Sequence, residues 1–499
     1  MRLSPWLRRT APALRPATFR PCLEGLDDRS LPSAVGFSTA LTYSATAMAV
    51  DPAGNVAVST GYAVYRFSPS GQLLASKTSV PGEGGGIAVD AAGDVYLNNK
   101  GVITELDPTL QQTLFTVTIP GVVATGNLGT MANGAIAVSG GKVYAVGTAG
   151  AGLPTTPTAY QAAFPGAATG LLAAYVAVID PSSSAPYHLT YCTYLGGTTV
   201  VSTMPAGGFA NAHGAAASGV AVNSAGAVYL TGITDATNFP TTAGAFQTVN
   251  RARFDSSIGY GGWTSFVTKV DPSQSGAASL VYSTFLGGSG YDGYVVDAPA
   301  RYTQSSAPAI AVDAAGDAYV TGSTTSVDFP VTAGAFQTTY TPIVTAPTAN
   351  YRFGHAYVTK LSPDGGHLVF STLLSGGSGG DWGGGIAVDA AGNVWVTGGT
   401  RSSNFPVTPG ALQPQKASGK DGYNLPIANA FVIELDPTGS TEIYGTYWGG
   451  TADAFGMGIG LDGFGNVIVV GQLLGGGTYP TTTGVYQTSG GGFILKFHP

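Results

Sequence analysis

The chain has 499 residues, of which 75 are glycine and 31 are proline, and only 9% of its residues are charged. Glycine is about twice as frequent as in an average protein, which excludes a mainly helical chain. The 44% share of hydrophobic residues is too high for a disordered polymer. The net charge of -7, without a basic stripe interleaved with aromatic residues, argues against nucleic-acid binding. We therefore expect an all-β protein.

The first 36 residues differ from the rest of the chain. Six arginines lie among the first thirty residues, at positions 2, 8, 9, 15, 20 and 29. Together with prolines, they interrupt any apolar stretch of the length that an export signal requires. Nowhere does an apolar run approach the roughly 20 residues that cross a bilayer. We expect a disordered basic tail over residues 1–36 and no transmembrane segment.

One short pattern occurs seven times in the remaining chain. It is a triplet of an apolar, a small and an apolar residue, and its middle residue is always Ala or Gly. The triplets begin at Met48, Ile87, Ile136, Val220, Ile310, Ile386 and Ile459. Five triplets are followed by Asp-x-x-Gly-(Asn/Asp) and then by a β-branched or aromatic run, which is a hairpin signature. The Asp can accept hydrogen bonds from the turn, and the Gly can adopt the left-handed conformation that the turn requires. The small middle residue indicates strands crowded around an axis.

Later repeats contain a third strand, such as Phe266 to Val270, and a fourth, such as Leu280 to Leu286. Four strands per unit are typical of a β-propeller blade, and repetition around a ring protects the strand edges. The sequence therefore predicts a single seven-bladed propeller over residues 37–499, with about 66 residues per unit. The predicted blades are residues 47–80, 86–119, 133–197, 217–288, 308–377, 384–450, and 457–499 together with 41–45.

The last unit ends after its third strand, so its fourth strand is missing from the C-terminal end. Leu41-Thr42-Tyr43-Ser44 matches Leu189-Thr190-Tyr191-Cys192 of a fourth strand. We predict that residues 41–45 complete the last blade and close the ring with strands from both ends. Deleting residues 31–46 should then cost far more stability than deleting residues 1–25.

These repeats resemble the bacterial β-propeller repeat family known as SBBP. The resemblance is carried by Tyr282-Ser283-Thr284-Phe285-Leu286-Gly287-Gly288, Ile310-Ala311-Val312-Asp313, Phe329-Pro330-Val331-Thr332 and Ala335-Phe336-Gln337. Residues 187–499 carry it well, whereas the first two units are shorter and look closer to NHL-type propeller repeats. The resemblance implies a secreted or cell-surface protein, and it brings no set of catalytic residues.

Candidate ligand-binding residues lie where the chain crosses from one blade to the next. Asp292, Asp381 and Asp453 follow three successive Gly-rich crossings, next to Tyr291 and Trp382. Two crossings match Gly-Gly-x-Gly-x-Asp, which binds calcium in nonapeptide β-helices, but those sites need copies nine residues apart. Calcium also prefers six to eight oxygen ligands. Each Asp either fixes its own crossing or contributes to a calcium or ligand site, and both interpretations stay open.

A second recurring insert follows strand two of the longer units, with the pattern Phe-Pro-Thr-Thr and an aromatic or apolar residue before Gln. We expect a single helical turn held by the side chain before the Gln. That side chain is Tyr160, Phe246, Phe336, Leu412 or Tyr486. The insert is either a structural anchor or a set of aromatic residues that stack on sugars.

These patterns favour a non-enzymatic, monomeric binding or scaffold protein that presents one loop face to a protein or glycan partner. No cofactor is expected, apart from calcium as the open alternative at the crossings. The rival hypothesis is a propeller hydrolase or lyase with a metal or carboxylate site at the central funnel. It requires at least two ionisable side chains that converge on the axis, which a sequence cannot show.

Overall fold

The computed structural model describes residues 34–79, 85–123, 134–201, 213–255, 260–293, 307–341, 354–421 and 424–499. These residues form seven four-stranded antiparallel sheets, together with a two-stranded hairpin and three short 3-10 turns. In six sheets the strands follow one another in chain order, and the seventh combines strands from both ends of the chain. The predicted all-β, seven-bladed propeller is therefore confirmed.

The first strand, β1 (Ala34–Leu41), belongs to the last blade. Blades 1 to 3 follow it, with strands running from the inside to the outside of the ring. They are β2 (Ala45–Val50), β3 (Val56–Thr60), β4 (Ala63–Phe67) and β5 (Leu73–Thr78); β6 (Gly86–Val89), β7 (Val95–Asn99), β8 (Val102–Leu106) and β9 (Thr113–Thr118); and β10 (Ala135–Ser139), β11 (Lys142–Ala149), β12 (Ala173–Ile179) and β13 (Leu189–Leu195).

Blades 4 to 7 repeat this order. Their strands are β14 (Ala215–Val222), β15 (Val228–Thr234), β18 (Thr264–Val270) and β19 (Leu280–Leu286); β20 (Ala309–Val312), β21 (Ala318–Thr324), β22 (His355–Leu361) and β23 (Leu368–Leu374); β24 (Asp381–Val388), β25 (Val394–Thr400), β26 (Asn429–Leu435) and β27 (Glu442–Trp448); and β28 (Asp453–Leu461), β29 (Val467–Leu474) and β30 (Gly492–His498). The hairpin of β16 (Phe254–Asp255) and β17 (Tyr260–Gly261) lies in the blade 4 connection.

The ring is closed by β1, which pairs antiparallel with β30 and so supplies the outer strand of blade 7. Closure by an N-terminal strand is confirmed, but the predicted segment is wrong. The strand is Ala34–Leu41 and not residues 41–45, because Leu41 already pairs with Gly492 at the start of β30. The correct match to Tyr282-Ser283-Thr284-Phe285-Leu286 is Phe37-Ser38-Thr39-Ala40-Leu41. Of the predicted tail, residues 1–33 lie outside the described residues, and the last three residues begin β1.

Seven hydrophobic clusters hold the ring together, and each lies between two neighbouring blades. The cluster that joins blades 7 and 1 contains Phe37 of β1, Ile468 of β29 and Val58 of β3. The hydrophobic effect therefore acts across every blade interface, including the one where the two ends of the chain meet.

The Asp-x-x-Gly turns have the predicted geometry. The carboxylate Oδ1 of Asp389 accepts hydrogen bonds from the N–H groups of Ala391 and Asn393 at 2.9 and 2.8 Å. Gly392 has a φ of 86°, a conformation that costs glycine least. The same arrangement occurs at Asp51, where Arg66 adds an ion pair of 2.7 Å.

The small middle residue of each triplet faces the next blade, while its two apolar neighbours face the previous one. Met48 and Val50 pack in the cluster with blade 7, whereas Ala49 packs in the cluster with blade 2. At Gly460 a Cβ atom would lie 3.0 Å from Met48 and 3.2 Å from Val50 of the next blade. Crowding therefore explains the small residue, as predicted from the sequence.

The Phe-Pro inserts form what we call straps, which cover the outer strand of their own blade. Straps occur in blades 3 to 7 and comprise residues 153–161, 239–247, 329–337, 405–413 and 479–487. In blade 4, the N–H of Thr242 donates to the carbonyl of Ser283 at 3.1 Å, and the N–H of Phe285 donates to the carbonyl of Gln247 at 2.9 Å. Equivalent pairs of backbone bonds recur in blades 3, 5, 6 and 7. The straps therefore satisfy the outer edge of each blade, which would otherwise expose unpaired backbone groups.

The most buried side chain of the strap is a different one from that predicted. The aromatic residue of the Phe-Pro pair is the buried one, and its ring centroid lies 4.5 Å from the next ring inward in the pair Phe239 and Phe266. Four of the predicted residues are partly buried and pack against the cluster between their own blade and the following one, whereas Tyr486 is exposed. The expected helical turn is a β-turn, because Ala245 N–H bonds to the Thr242 carbonyl while Gly244 has a φ of 80°.

Candidate functional site

The three candidate aspartates occupy one equivalent position in three successive blades. Asp381 and Asp453 are the first residues of the inner strands β24 and β28, and Asp292 forms an isolated bridge to Thr324. Asp381 likewise pairs with Thr400, at the end of strand two of its blade. This common register places each carboxylate between the incoming crossing and the loop that leaves strand two.

The carboxylate of Asp381 is fully buried and accepts four hydrogen bonds. Its Oδ1 atom accepts one from the Thr400 hydroxyl at 2.5 Å. Its Oδ2 atom accepts the others from Ser375 Oγ, Gly376 N–H and Ser402 Oγ, at 3.0 to 3.1 Å. Asp381 thereby ties the Gly-rich crossing to the loop after strand two.

Asp292 repeats this arrangement one blade earlier. It accepts hydrogen bonds from Thr324 Oγ1 at 2.6 Å, Ser326 Oγ at 3.0 Å and the Gly288 N–H at 2.9 Å, and it is also fully buried. Desolvation raises the pKa of Asp292 and of Asp381 to about 7, although the hydrogen bonds lower it. Burial opposes the charged form more strongly than three or four donors favour it.

Asp453 has a charged partner instead of hydroxyl groups. Its Oδ1 atom accepts a hydrogen bond from the Ala428 N–H at 2.6 Å and lies 3.5 Å from Nη1 of the buried Arg401. The same Arg401 nitrogen lies 3.2 Å from Asp421 and bonds to the Pro426 carbonyl. Burial raises the pKa of Asp453, and Arg401 opposes this change. The cluster joins the strand two to three connection of blade 6 to the crossing into blade 7.

Tyr291 and Trp382 belong to two small apolar clusters on this face. Tyr291 is half-buried and packs with Ala216, Ile233 and Trp263. Trp382 is buried, and its ring centroid lies 5.3 Å from that of Phe455. Asp292, Asp381, Asp453 and Trp382 are therefore buried at the crossing face and Tyr291 is half-buried, and ligand binding by their side chains stays a prediction.

The carboxylates of Asp292 and Asp381 do not fit a calcium site. Their described partners are N–H and hydroxyl groups that donate to them, whereas calcium requires six to eight oxygen atoms that face the ion. Among the described residues, no group of three or more His, Cys, Asp or Glu side chains is arranged to hold a metal ion. A bound calcium would have to displace the hydrogen bonds that fix the crossings.

A channel of about 260 Å³ runs at the centre of the ring and is lined by the inner strands. In blades 1, 4, 6 and 7 a β-bulge lies in the inner strand, and the bulged residue lines the channel. The bulged residues are Thr46, Ser218, Gly384 and Met457. The other lining residues are Gly, Ala, Pro, Ile and Val, with Met48 and Ala47 from blade 1. No ionisable side chain lines the part of the channel that the structure describes.

A His-Asp pair that was not predicted from the sequence lies at the crossing into blade 4. His213 Nδ1 lies 2.5 Å from Asp235 Oδ2, and the Gly214 N–H donates to Asp235 Oδ1 at 2.8 Å. The hydrogen bond to Asp235 raises the pKa of His213, and partial burial opposes this. Asp235 directly follows β15, and Thr325 and Arg401 directly follow the equivalent strands of blades 5 and 6. The position directly after strand two was therefore the feature of the sequence that could have revealed the pair.

Blades 1 and 2 differ from the others at their outer edges. Among the described residues, β5 pairs only with β4, and β9 pairs only with β8. In β5 every second residue is exposed, and in β9 only Phe115 and Val117 are partly buried. The connections between strands two and three span only two residues in these blades, so they cannot form a strap.

Comparison with known proteins agrees with this architecture. Residues 369–406 match the family model of SBBP, a beta-propeller repeat. One segment of the chain is therefore similar to an SBBP repeat. This match extends from β23 through the crossing, β24 and β25 to Pro406 of the blade 6 strap, so it includes the crossing that Asp381 holds. No curated protein matches the chain.

Several solved structures are similar in fold. BamB from Moraxella catarrhalis is 12% identical with a TM-score of 0.38, and the match covers 94% of this chain and all of that one. A chain of the mitotic checkpoint complex is 9% identical with a TM-score of 0.45, covering 100% and 99%. The quinohemoprotein alcohol dehydrogenase from Comamonas testosteroni is 11% identical with a TM-score of 0.39, covering 94% and 76%. Sequence identities and TM-scores this low carry no information about a ligand or an activity of this chain. Among the described residues of this chain, no helix has the length and hydropathy to cross a membrane.

Proposed function

We propose that this chain is a non-enzymatic binding scaffold, secreted or at the cell surface, whose crossing face meets a protein or glycan partner. One observation carries the proposal: the buried carboxylates of this face are engaged in fixing its loops. The lining of the axial channel supports it, since the described lining residues offer no acid, base or nucleophile pair for chemistry. The location rests on the resemblance to the SBBP family.

The buried aspartates fix loops that carry exposed side chains. Asp292 holds Ser326, and the next residue, Val327, is 70% exposed. Asp328 then accepts hydrogen bonds from the backbone and hydroxyl of Ser289 at 2.7 and 2.8 Å. A loop held on both sides loses little conformational entropy when a partner binds to it. The aspartates therefore act by preorganising the surface and need no contact with the partner.

The proposal is tested by screening the full-length chain on glycan arrays and against surface proteins. Any interaction found is then measured with Val327→Asp on the crossing face and with Phe464→Asp as the matched control. Phe464 is 72% exposed in the turn between β28 and β29, on the opposite face. We expect Val327→Asp to weaken binding at least tenfold and Phe464→Asp to leave it unchanged. The reverse pattern would contradict the proposal.

The alternative, a propeller hydrolase or lyase, is favoured by one observation. His213 is held by Asp235 in the manner of a general base, and its side chain is 24% exposed. The test is incubation of the chain with pooled glycans and peptides, followed by mass spectrometry. Turnover that disappears in His213→Gln would replace the scaffold proposal with the enzyme.

A further inference from the structure

The straps show through which hydrogen-bonding groups an outer strand of this propeller binds another segment. In blade 4 the Ser283 N–H donates to Thr242 Oγ1 at 3.1 Å, and the Ser283 carbonyl accepts from the Thr242 N–H. The Gln247 N–H donates to Thr284 Oγ1 at 2.8 Å. The same three interactions recur in blades 3, 5, 6 and 7. Each outer strand thus binds the two ends of a strap that contains a β-turn, through outward backbone groups and one threonine hydroxyl.

The pairing register identifies the equivalent groups in blade 1. Ala75 pairs with Arg66 just after a bulge, as Tyr282 pairs with Lys269 in blade 4. Ser76 therefore corresponds to Ser283, Lys77 to Thr284 and Thr78 to Phe285. The N–H and carbonyl of Ser76 and the N–H of Thr78 point away from β4, where the described residues provide no partner. Ser76 and Thr78 are exposed, as an accessible edge requires.

Lys77 determines what kind of segment this edge can take. A lysine ammonium group donates hydrogen bonds and accepts none, so it cannot receive the N–H that Thr284 receives from Gln247. A carboxylate at that position of the incoming segment would instead form an ion pair with Lys77. Blade 2 has Val117 at the equivalent position and offers neither interaction. The edge of blade 1 is therefore distinct from both the strapped edges and the edge of blade 2.

We propose that the outer edge of β5 is a docking site for an acidic, strap-like segment of a partner protein, which pairs with this edge as the straps pair with theirs. The segment pairs with the backbone of Ser76 and Thr78 and places a carboxylate against Lys77. Strand addition to an exposed edge is an established mode of peptide recognition. This site lies on the outside of the ring and is separate from the crossing face, although it deepens the proposed binding role.

The probes are two fluorescein-labelled peptides with the sequence of residues 238–249, which include the blade 4 strap. One has the native sequence, and the other carries Gln247→Glu. Binding to the full-length chain is measured by fluorescence anisotropy. We expect the Glu peptide to bind at least tenfold more tightly than the Gln peptide, and high salt to reduce this difference because it screens the ion pair. In Lys77→Thr the preference should reverse, since the strap threonine is restored.

Backbone pairing is tested with Ser76→Pro, which removes the outward N–H without breaking the bonds to β4. Binding should fall at least tenfold, while Thr116→Pro, at the equivalent position on the edge of blade 2, should bind as the native chain does. Both variants are compared by thermal unfolding, so that loss of binding is not confused with loss of fold. If neither peptide binds to folded native chain, or if Ser76→Pro binds normally, the docking site is refuted.

Hydrogen exchange of the unliganded full-length chain tests whether another segment of the chain or a second copy already covers the edge of β5. Slow exchange at Ser76 and Thr78 would show that the chain itself or a second copy already covers β5, and sedimentation would distinguish the two. Either result overturns the proposal of a partner peptide. The crossing-face proposal fails by a different result, namely binding that is insensitive to Val327→Asp, so the two failures can be told apart.

Discussion

Blades 3 to 7 and blades 1 and 2 solve the problem of an outer strand edge in different ways. In the five later blades a strap covers the edge with backbone bonds, a threonine and a glutamine, and a buried aromatic or apolar side chain holds the strap in place. In the first two blades the edge is uncovered among the described residues, and the strands alternate exposed and partly buried residues. The difference shows that the four-stranded blade does not require a strap. The straps are an addition that protects an edge, and the two bare blades leave an edge available.

The largest effect on stability is expected where blade 7, which has a strap, meets blade 1, which has none among the described residues. Deleting residues 31–46 removes β1, and with it the outer strand of blade 7 and the pairing that joins both chain ends. We expect loss of cooperative unfolding or a decrease in Tm of more than about 10 °C. Deleting residues 1–25 is the control and should leave Tm nearly unchanged. Equal Tm values for the two truncations would refute closure by β1.

The second-largest effect is the difference in stability lost when a buried strap anchor and an exposed aromatic residue are each replaced by alanine. Phe405 lies 4.4 Å from the Phe431 ring and is buried. Phe405→Ala should lower the free energy of unfolding by about 3 to 5 kcal/mol, because it leaves a cavity in the core. Phe464→Ala, at an exposed turn, should change it by less than about 0.5 kcal/mol. Urea unfolding measures both, and a similar cost for the two variants would contradict the role of the strap anchor.

A smaller effect is expected from the polar contacts of a strap. Thr242 Oγ1 accepts the Ser283 N–H, and Thr242→Val leaves this N–H without its partner. We expect a cost of about 1 to 2 kcal/mol and faster amide exchange at Ser283. Thr242→Ser keeps the hydroxyl group and should restore most of the protection. If exchange at Ser283 is already as fast in the native chain as at Ser76 on the bare edge, the strap does not protect its strand.

The smallest effect is a difference in the pH dependence of stability between a crossing and a turn. Burial raises the pKa of Asp381 to about 7, so between about pH 4 and 7 the folded state keeps a proton that the unfolded state releases. The stabilisation of the folded state by this proton is complete below about pH 4 and is lost as the pH rises towards 7. For Asp51 in blade 1, burial is outweighed by the hydrogen bonds from Asn55 and Arg66, which lower its pKa. Its contribution is present above about pH 4 and is lost in acid.

Thermal unfolding between pH 3 and 8 tests these opposite signs. Relative to the native chain, Asp381→Asn should flatten the decline of Tm between pH 5 and 7 by a few degrees. Asp51→Asn should flatten the decline below pH 4 and leave the neutral region unchanged. The same pH profile for both variants would show that the two aspartates have similar environments, which contradicts the structure.

Much of the fold could be predicted because its signals are local. Each hairpin is specified within about ten residues by a triplet, a turn and a β-branched run, so seven copies of this pattern indicate seven blades. Four strands per unit and a missing last strand indicate closure by the other end of the chain. The exact segment could not be predicted, because Leu41-Thr42-Tyr43-Ser44 and Phe37-Ser38-Thr39-Ala40-Leu41 both resemble a fourth strand. Only the pairing with β30 distinguishes them.

The candidate site depended on contacts between distant residues, which only the tertiary structure decides. The sequence placed Asp292, Asp381 and Asp453 at equivalent crossings, but the direction of each carboxylate follows from the register between the crossing and strand two. Asp381 meets Ser402 after 21 residues, and Asp453 meets Arg401 across 52. The strap threonine of blade 7 meets Ser38 across 444 residues. Local patterns determined the strands and turns, whereas burial and long-range hydrogen bonds decided which polar residues stabilise the ring and which edge remains open.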